Sequence, residues 1–186
     1  KHEFSLIPHN LMLFDYEKSE LLALMDATYI TAYRTAAMAA LSIETLAIRQ
    51  FKTIAIVGLG NIAKATLKTL LGVEKRKLLV KVLKFRNEEI EFIKMFKDYK
   101  NVTLVPVDTM EELVRDSDVI ISAITCATTY LAEPSWFKKG SLLVPVHTKG
   151  FQNCDCVFDR VIIDDVEHVK KFKYFSQFKN CHELAE

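Results

Sequence analysis

The sequence predicts an α/β fold, a doubly wound, mostly parallel sheet preceded by part of a second domain. Three observations carry that prediction. From residue 53 onward, short apolar β-rich runs alternate with helical patterns of about ten residues, the rhythm of βαβ units. The first of those runs, in "TIAIVGLGNIAKATLKTLLG", ends in a glycine turn that opens a helix. The first fifty residues lack this rhythm and are too few to enclose a core of their own.

In chain order, residues 11–25, "LMLFDYEKSELLALM", read as two short strands around a polar turn from Asp15 to Glu20. An alanine-rich stretch without Gly or Pro follows and predicts a helix over 27–47, with Asp26 or Thr28 as N-cap. A domain boundary falls near Arg49–Phe51. Strands are expected at Thr53–Val57, Leu78–Lys84, Val102–Pro106, Val119–Ala123, Leu142–Val146 and Val161–Ile163. Helices are expected at Asn61–Leu71, Glu88–Phe96, Met110–Asp116 and Val166–Phe175. The tail "HVKKFKYFSQFKN" has aromatics and lysines at helix-like spacing and reads as an amphipathic helix packing on the sheet. Asp164 and Asp165 read as its cap. The expected division is 1–50, 51–165 and a helical return over 166–186.

Composition narrows the function classes. Hydrophobic residues make up 50% and charged ones 26%, as in globular proteins. The net charge of +1 gives no long-range field for nucleic acid or an anionic membrane. No apolar run is long and uncharged enough to predict a transmembrane helix. Cys126, Cys154, Cys156 and Cys181 form no CxxC pair and read as reduced cytoplasmic thiols. A zinc site from Cys154, Cys156, Cys181 and His182 would have a spacing outside the usual frameworks, so no metal is expected. The chain opens "KHEFSLIPHN" without a methionine and stops at "CHELAE", and reads as a piece cut at both ends.

The glycine turn spells G-x-G-x-x-A across Gly58, Gly60, Asn61, Ile62 and Ala63. Gly58 permits a tight exit from the strand, Gly60 lets backbone approach a pyrophosphate, and Ala63 lets the helix lie close to the strand. The helix N-terminus then offers free N–H groups to an anion. With the βα units that follow, this is a Rossmann-type dinucleotide site rather than a mere packing turn. The second strand ends "KVLKFRNEE", placing Lys84 and Arg86 before any acid. Cations there suit the 2′-phosphate of NADP(H) better than the ribose hydroxyl of NAD(H), unless both are solvated surface charges.

Arg34 is the only charged residue between Asp26 and Glu44. On so apolar a helix it is expected to be buried and to need an anion. That anion is either a carboxylate elsewhere in the protein or a ligand carboxylate or phosphate gripped by the guanidinium fork.

"MDATYITAYRTAAMAA", "IAIVGLGNIAKA", "SDVIISAITCA" and "KKGSLLVPVHTKG" together resemble the ornithine cyclodeaminase/mu-crystallin family over roughly residues 20–165. The resemblance implies a dimeric NAD(P)-dependent oxidoreductase acting on a small amino or imino acid. It implies a Rossmann domain inserted into a dimerisation and substrate domain, of which residues 1–50 are a part. It places Arg34 on the substrate carboxylate and Thr35 beside the pyrophosphate. Gly58, Gly60, Asn61, Ile62 and Ala63 fall on the phosphate loop, and Arg86 on an arginine of NADPH-using relatives. Ser122, Ala123 and Thr125 line the dinucleotide after the fourth strand, and Val146 and His147 lie near the nicotinamide.

One departure stands out. Cyclodeaminases of the family carry an aspartate just past the fifth strand, where this chain has Lys149. A lysine, with an ordinary pKa of about 10.4, replaces a carboxylate base only under strong desolvation. Cyclodeaminase chemistry is therefore not expected, whereas cofactor-borne hydride chemistry is less affected. Asp155, six residues on, is the nearest other carboxylate. His147 and Lys149 are the candidates for proton handling, with strand-end histidine and solvated lysine as the plainer readings. The alternative to an enzyme is a dinucleotide-dependent binding protein or sensor with little turnover.

Overall fold

The computed structural model describes residues 10–147 and 149–184. It opens with an antiparallel hairpin of β1 (Asn10–Phe14) and β2 (Leu21–Asp26), Asn10 facing Asp26. The turn is closed by the Asp15 N–H donating to the Glu20 carbonyl at 2.8 Å. The Asp15 carboxylate accepts from the Glu17 and Lys18 N–H groups at 2.9 and 2.7 Å. Leu11 to Phe14, Leu21, Leu22, Leu24 and Met25 are all exposed.

Helix α1 (Thr28–Leu46) follows, with Ala27 as its N-cap. Asp26, one residue outside, accepts from the Thr28 N–H at 2.8 Å. Ala36, Ala39, Ala40 and Ile43 are its buried stripe, and it packs along α2 (Asn61–Val73). The opposite face stays open, with Tyr29, Ile30, Met38 and Leu41 exposed.

The centre is a five-stranded parallel sheet of β3 (Thr53–Val57), β4 (Leu78–Leu83), β5 (Val102–Val107), β6 (Val119–Ser122) and β7 (Leu142–Pro145). Its spatial order is β5-β4-β3-β6-β7, so the winding reverses between β3 and β6. Alternation along β3 explains the layers. Ile54 and Ile56 enter one core with Ala63 and Leu67 of α2 and with Phe92 of α3 (Glu88–Met95). Ala55 and Val57 enter the other with Leu113 of α4 (Met110–Val114), Phe151 and Cys154. A strand buried on both faces must be apolar at every position, which is why "IAIV" shows no polar residue.

The carbonyl-leaving and amide-entering ends of this sheet differ in chemistry. At the amino edge, buried Asp118 accepts from the Lys52 and Thr53 N–H groups at 2.8 and 2.9 Å and from Lys138 Nζ at 2.6 Å. Buried Glu74 accepts from Arg76 Nε at 2.8 Å, and that guanidinium lies 4.4 Å from the Phe51 ring centre.

The end of the chain departs from expectation. The predicted sixth strand, β8 (Val161–Ile163), does not join the main sheet. It pairs in parallel with β9 (Cys181–Glu183). The helix expected over 166–186 is a single turn, α5 (Val166–Val169), capped by the Asp165 carboxylate accepting from the Glu167 N–H at 2.8 Å. Beyond it the aromatics meet across turns, His168 with Phe172 and Phe175 with Phe178, instead of forming one helical stripe. Among the described residues no helix is long and apolar enough to cross a membrane.

Candidate functional site

The crevice opens where the winding reverses, at the carboxyl ends of β3 and β6. Gly58 leaves β3 with φ +80°, in the left-handed region. A Cβ on it would stand 3.0 Å from the Ala123 carbonyl carbon and oxygen and 3.1 Å from the Ile124 nitrogen. Glycine is thus required twice, by conformation and by the backbone crossing it. Gly60 differs. Its φ is −72°, which any residue adopts, and a Cβ there would meet nothing within 4 Å. The space in front of Gly60 is open. It lies at the start of α2, whose first turn has no side-chain cap and no acid. Free N–H groups and the positive end of a thirteen-residue helix therefore face that space. Ala63 is fully buried against the sheet, Ile62 half-buried, and Asn61 exposed at the mouth.

Across the crevice, the Ala123 N–H donates to the Val57 carbonyl at 2.8 Å, tying the two loops. Ser122 ends β6 fully buried, yet its hydroxyl has no partner. Its carbonyl accepts from the Val146 and His147 N–H groups at 2.8 and 3.4 Å. His147 is half-buried and its Nε2 is also unpartnered. Buried polar atoms left without a partner cost about 1–3 kcal/mol each, and two of the three found among the described residues, with the Ser141 hydroxyl as the third, lie at this edge. Thr125 is exposed on the loop beyond.

At the tip of β4, Lys84 is held by Asp108 at 2.8 Å. Arg86 is exposed, has φ +52°, and makes no ion pair among the described residues. Its guanidinium lies 4.9 Å from the Phe85 ring centre. The basic tip expected from the sequence is thus reduced to Arg86.

Arg34 corrects the expectation of burial: it is exposed on α1 and makes no ion pair among the described residues. The apolar composition of α1 serves its buried stripe on α2 and an open outer face, and Arg34 stands on that outer face, one turn from both Ile30 and Met38. The neighbouring Tyr33, stacked on Tyr29 at 4.2 Å, lines a hollow of 410 Å³ with Asn61, Lys64 and Lys68. This places the arginine's turn of α1 beside the start of α2. The Thr35 hydroxyl donates to the Thr31 carbonyl at 3.0 Å.

Lys149 is exposed. The carboxyl brought to this side of the sheet is Asp155. It lines a cleft of 580 Å³ with Ala127 to Tyr130 from the loop after β6, Gly150 and Gln152 from the loop after β7, and Phe172 to Tyr174. Burial without a compensating charge pushes the Asp155 carboxyl up to about 6. A carboxyl that titrates near neutrality in a cleft is suited to taking and giving a proton. Nothing local in the sequence marks it, because segments distant along the chain make its surroundings.

Comparisons with known proteins bear on this site. The family model of the ornithine cyclodeaminase/mu-crystallin family matches residues 5–172. The nodulation efficiency protein NfeD of Rhizobium meliloti is 28% identical over 159 residues, covering 83% of this chain and 48% of that protein. A Delta(1)-pyrroline-2-carboxylate reductase of Colwellia psychrerythraea is 32% identical over 130 residues, covering 69% of this chain and 40% of the relative. The solved Delta(1)-pyrroline-2-carboxylate reductase of Thermococcus litoralis, in complex with NADH and L-proline, superposes with a TM-score of 0.72. It is 26% identical, with 86% of this chain and 51% of that one covered. The chain spans about half the length of NfeD and of this solved reductase.

Proposed function

Because this chain belongs to the ornithine cyclodeaminase/mu-crystallin family, we propose that it carries the dinucleotide-binding part of an NAD(P)-dependent oxidoreductase acting on a small amino or imino acid. One observation carries the reading. The open space at Gly60 and the unpartnered Ser122 Oγ and His147 Nε2 all lie at the carboxyl edge of the sheet, where its winding reverses.

In this reading Gly58, Gly60, Asn61, Ile62 and Ala63 cradle the pyrophosphate, and Thr35 turns its hydroxyl away from Thr31 to meet it. Ser122, Ala123, Thr125 and Val146 line the nicotinamide half. Arg86, which makes no ion pair among the described residues, favours a 2′-phosphate, so NADP(H) stands beside NAD(H) as cofactor. The bound dinucleotide supplies or takes the hydride. Arg34 holds the substrate carboxylate. His147 and Asp155 handle the proton that must reach or leave the substrate nitrogen, and Lys149, exposed on the loop after β7, has no carboxylate to offer. Residues 1–50 belong to a dimerisation and substrate domain, 51–165 form the Rossmann domain, and 166–186 lead back towards the first. The apolar side chains exposed on β1, β2 and α1 support a homodimer. Four free cysteines support a cytoplasmic location.

Titrating the purified protein with NADH and NADPH, followed by fluorescence, tests this directly. Saturable binding is expected, with turnover on a panel of amino and imino acids. Arg34→Ala should lower kcat/KM about 10- to 100-fold, the worth of a charged hydrogen-bond pair, and leave the melting temperature in place because Arg34 is exposed. No binding of either dinucleotide up to about 1 mM would contradict the proposal. Lys149 keeps a second reading open, a dinucleotide-dependent sensor. Tight binding with no turnover on any member of the panel would favour it.

A further inference from the structure

The cleft that holds Asp155 has a second chemical feature that the reaction above does not use. Tyr130, from the loop after β6, and Tyr174, from the tail, meet hydroxyl to hydroxyl at 3.1 Å. Lys173 Nζ lies over the Tyr174 ring, 5.0 Å from its centre. All three line the 580 Å³ cleft. Lys173 makes no ion pair among the described residues. The Tyr130 hydroxyl and the nearby Lys173 ammonium hold the Tyr174 phenol below its usual range. The Asp155 carboxyl lines the same cleft.

A cation without an ion-pair partner, seated over the ring of Tyr174, whose hydroxyl meets that of Tyr130, is a receptor for one anionic group. The cleft falls in the size range of ligand sites, with room for more than one polar end of a substrate. A dianion fits less well, because a single ammonium faces it and Asp155 shares the space.

We propose that Lys173, Tyr130 and Tyr174 form a subsite for a second carboxylate, so that the substrate is an amino or imino acid with an anionic side chain. This rests on the oxidoreductase reading for the α-carboxylate and nitrogen, while Lys173 and the two tyrosines determine specificity.

Calorimetric binding of L-glutamate and L-norvaline to the purified protein tests it without turnover. The two share a five-carbon backbone and differ in the second carboxylate. Glutamate is expected to bind about tenfold more tightly, the scale of one exposed charged contact. Lys173→Met should close that gap, and Lys173→Arg should keep most of it. Lys173 is exposed, so both variants should fold. Glutamate should also shift Tyr174 ionisation upward in the ultraviolet difference spectrum, by drawing Lys173 away. Equal binding of the two amino acids, or a gap that survives Lys173→Met, overturns the subsite. Dinucleotide binding is scored separately, so failure of the oxidoreductase reading is distinguishable from failure here.

Discussion

The two edges of the central sheet are made from the same strands yet are finished in opposite ways. At the amino edge each described buried charge is paired, and the Ser141 hydroxyl is the one buried polar side-chain atom without a partner among the described residues there. Asp118 takes two backbone N–H groups and Lys138, and Glu74 takes Arg76. At the carboxyl edge a helix N-terminus is uncapped, two buried polar atoms lack partners, and a carboxyl sits desolvated in a cleft. A protein gains stability by satisfying such groups, so leaving several unsatisfied at one edge marks where a ligand completes them.

Gly58 bridges both roles, and changing it should have the largest effect. Gly58→Ala forces a Cβ into backbone at 3.0 Å and a side chain into the left-handed region. A loss of about 2–4 kcal/mol is expected by denaturant unfolding, together with loss of dinucleotide binding.

Next comes the amino edge. Asp118→Asn should cost about 2–3 kcal/mol, because it removes charged hydrogen bonds and leaves Lys138 without its acid. Asp118 also predicts a pH response. Burial alone would raise its carboxyl, but Lys138 and the Lys52 and Thr53 N–H groups outweigh that and hold it below its ordinary value. Its contribution is therefore present above the unfolded value of about 3.9 and is lost as pH falls through the lower folded one.

Asp155 at the other edge must slope the opposite way. Its folded value of about 6 exceeds the unfolded one, so the folded state holds the proton more tightly. Stability falls as pH rises from about 4 to 6. Asp155→Asn should thus stabilise the protein modestly at pH 7 and leave it unchanged near pH 3.5, measured by thermal melts across pH. A matching gain at both pH values would show that Asp155 is not desolvated as described.

What was legible in the sequence follows the same divide. β3 and β6 are readable because a strand buried on both faces holds mostly apolar residues, and the partly exposed β4, β5 and β7 because β-rich runs alternate with helical patterns. The glycine loop was readable because its demands are local. Arg34 is exposed where its apolar helix predicts burial, since an alanine-rich helix does not announce which of its faces has a partner. The tail forms a single helical turn where its spacing predicts a longer helix, because aromatics at helical spacing serve equally well when they pair across turns, as Phe175 and Phe178 do. Asp155 and the Tyr130–Tyr174 contact were beyond reach. Each depends on loops after β6 and β7 meeting a segment 44 residues along from Tyr130.

Gly60→Val separates the two edges most directly. Its backbone angles suit valine and no atom lies within 4 Å of the added Cβ, so the fold should be untouched. The account predicts that the wild-type chain binds NADH or NADPH saturably, while Gly60→Val melts at the same temperature and binds neither. Undiminished binding by the folded valine variant would contradict it.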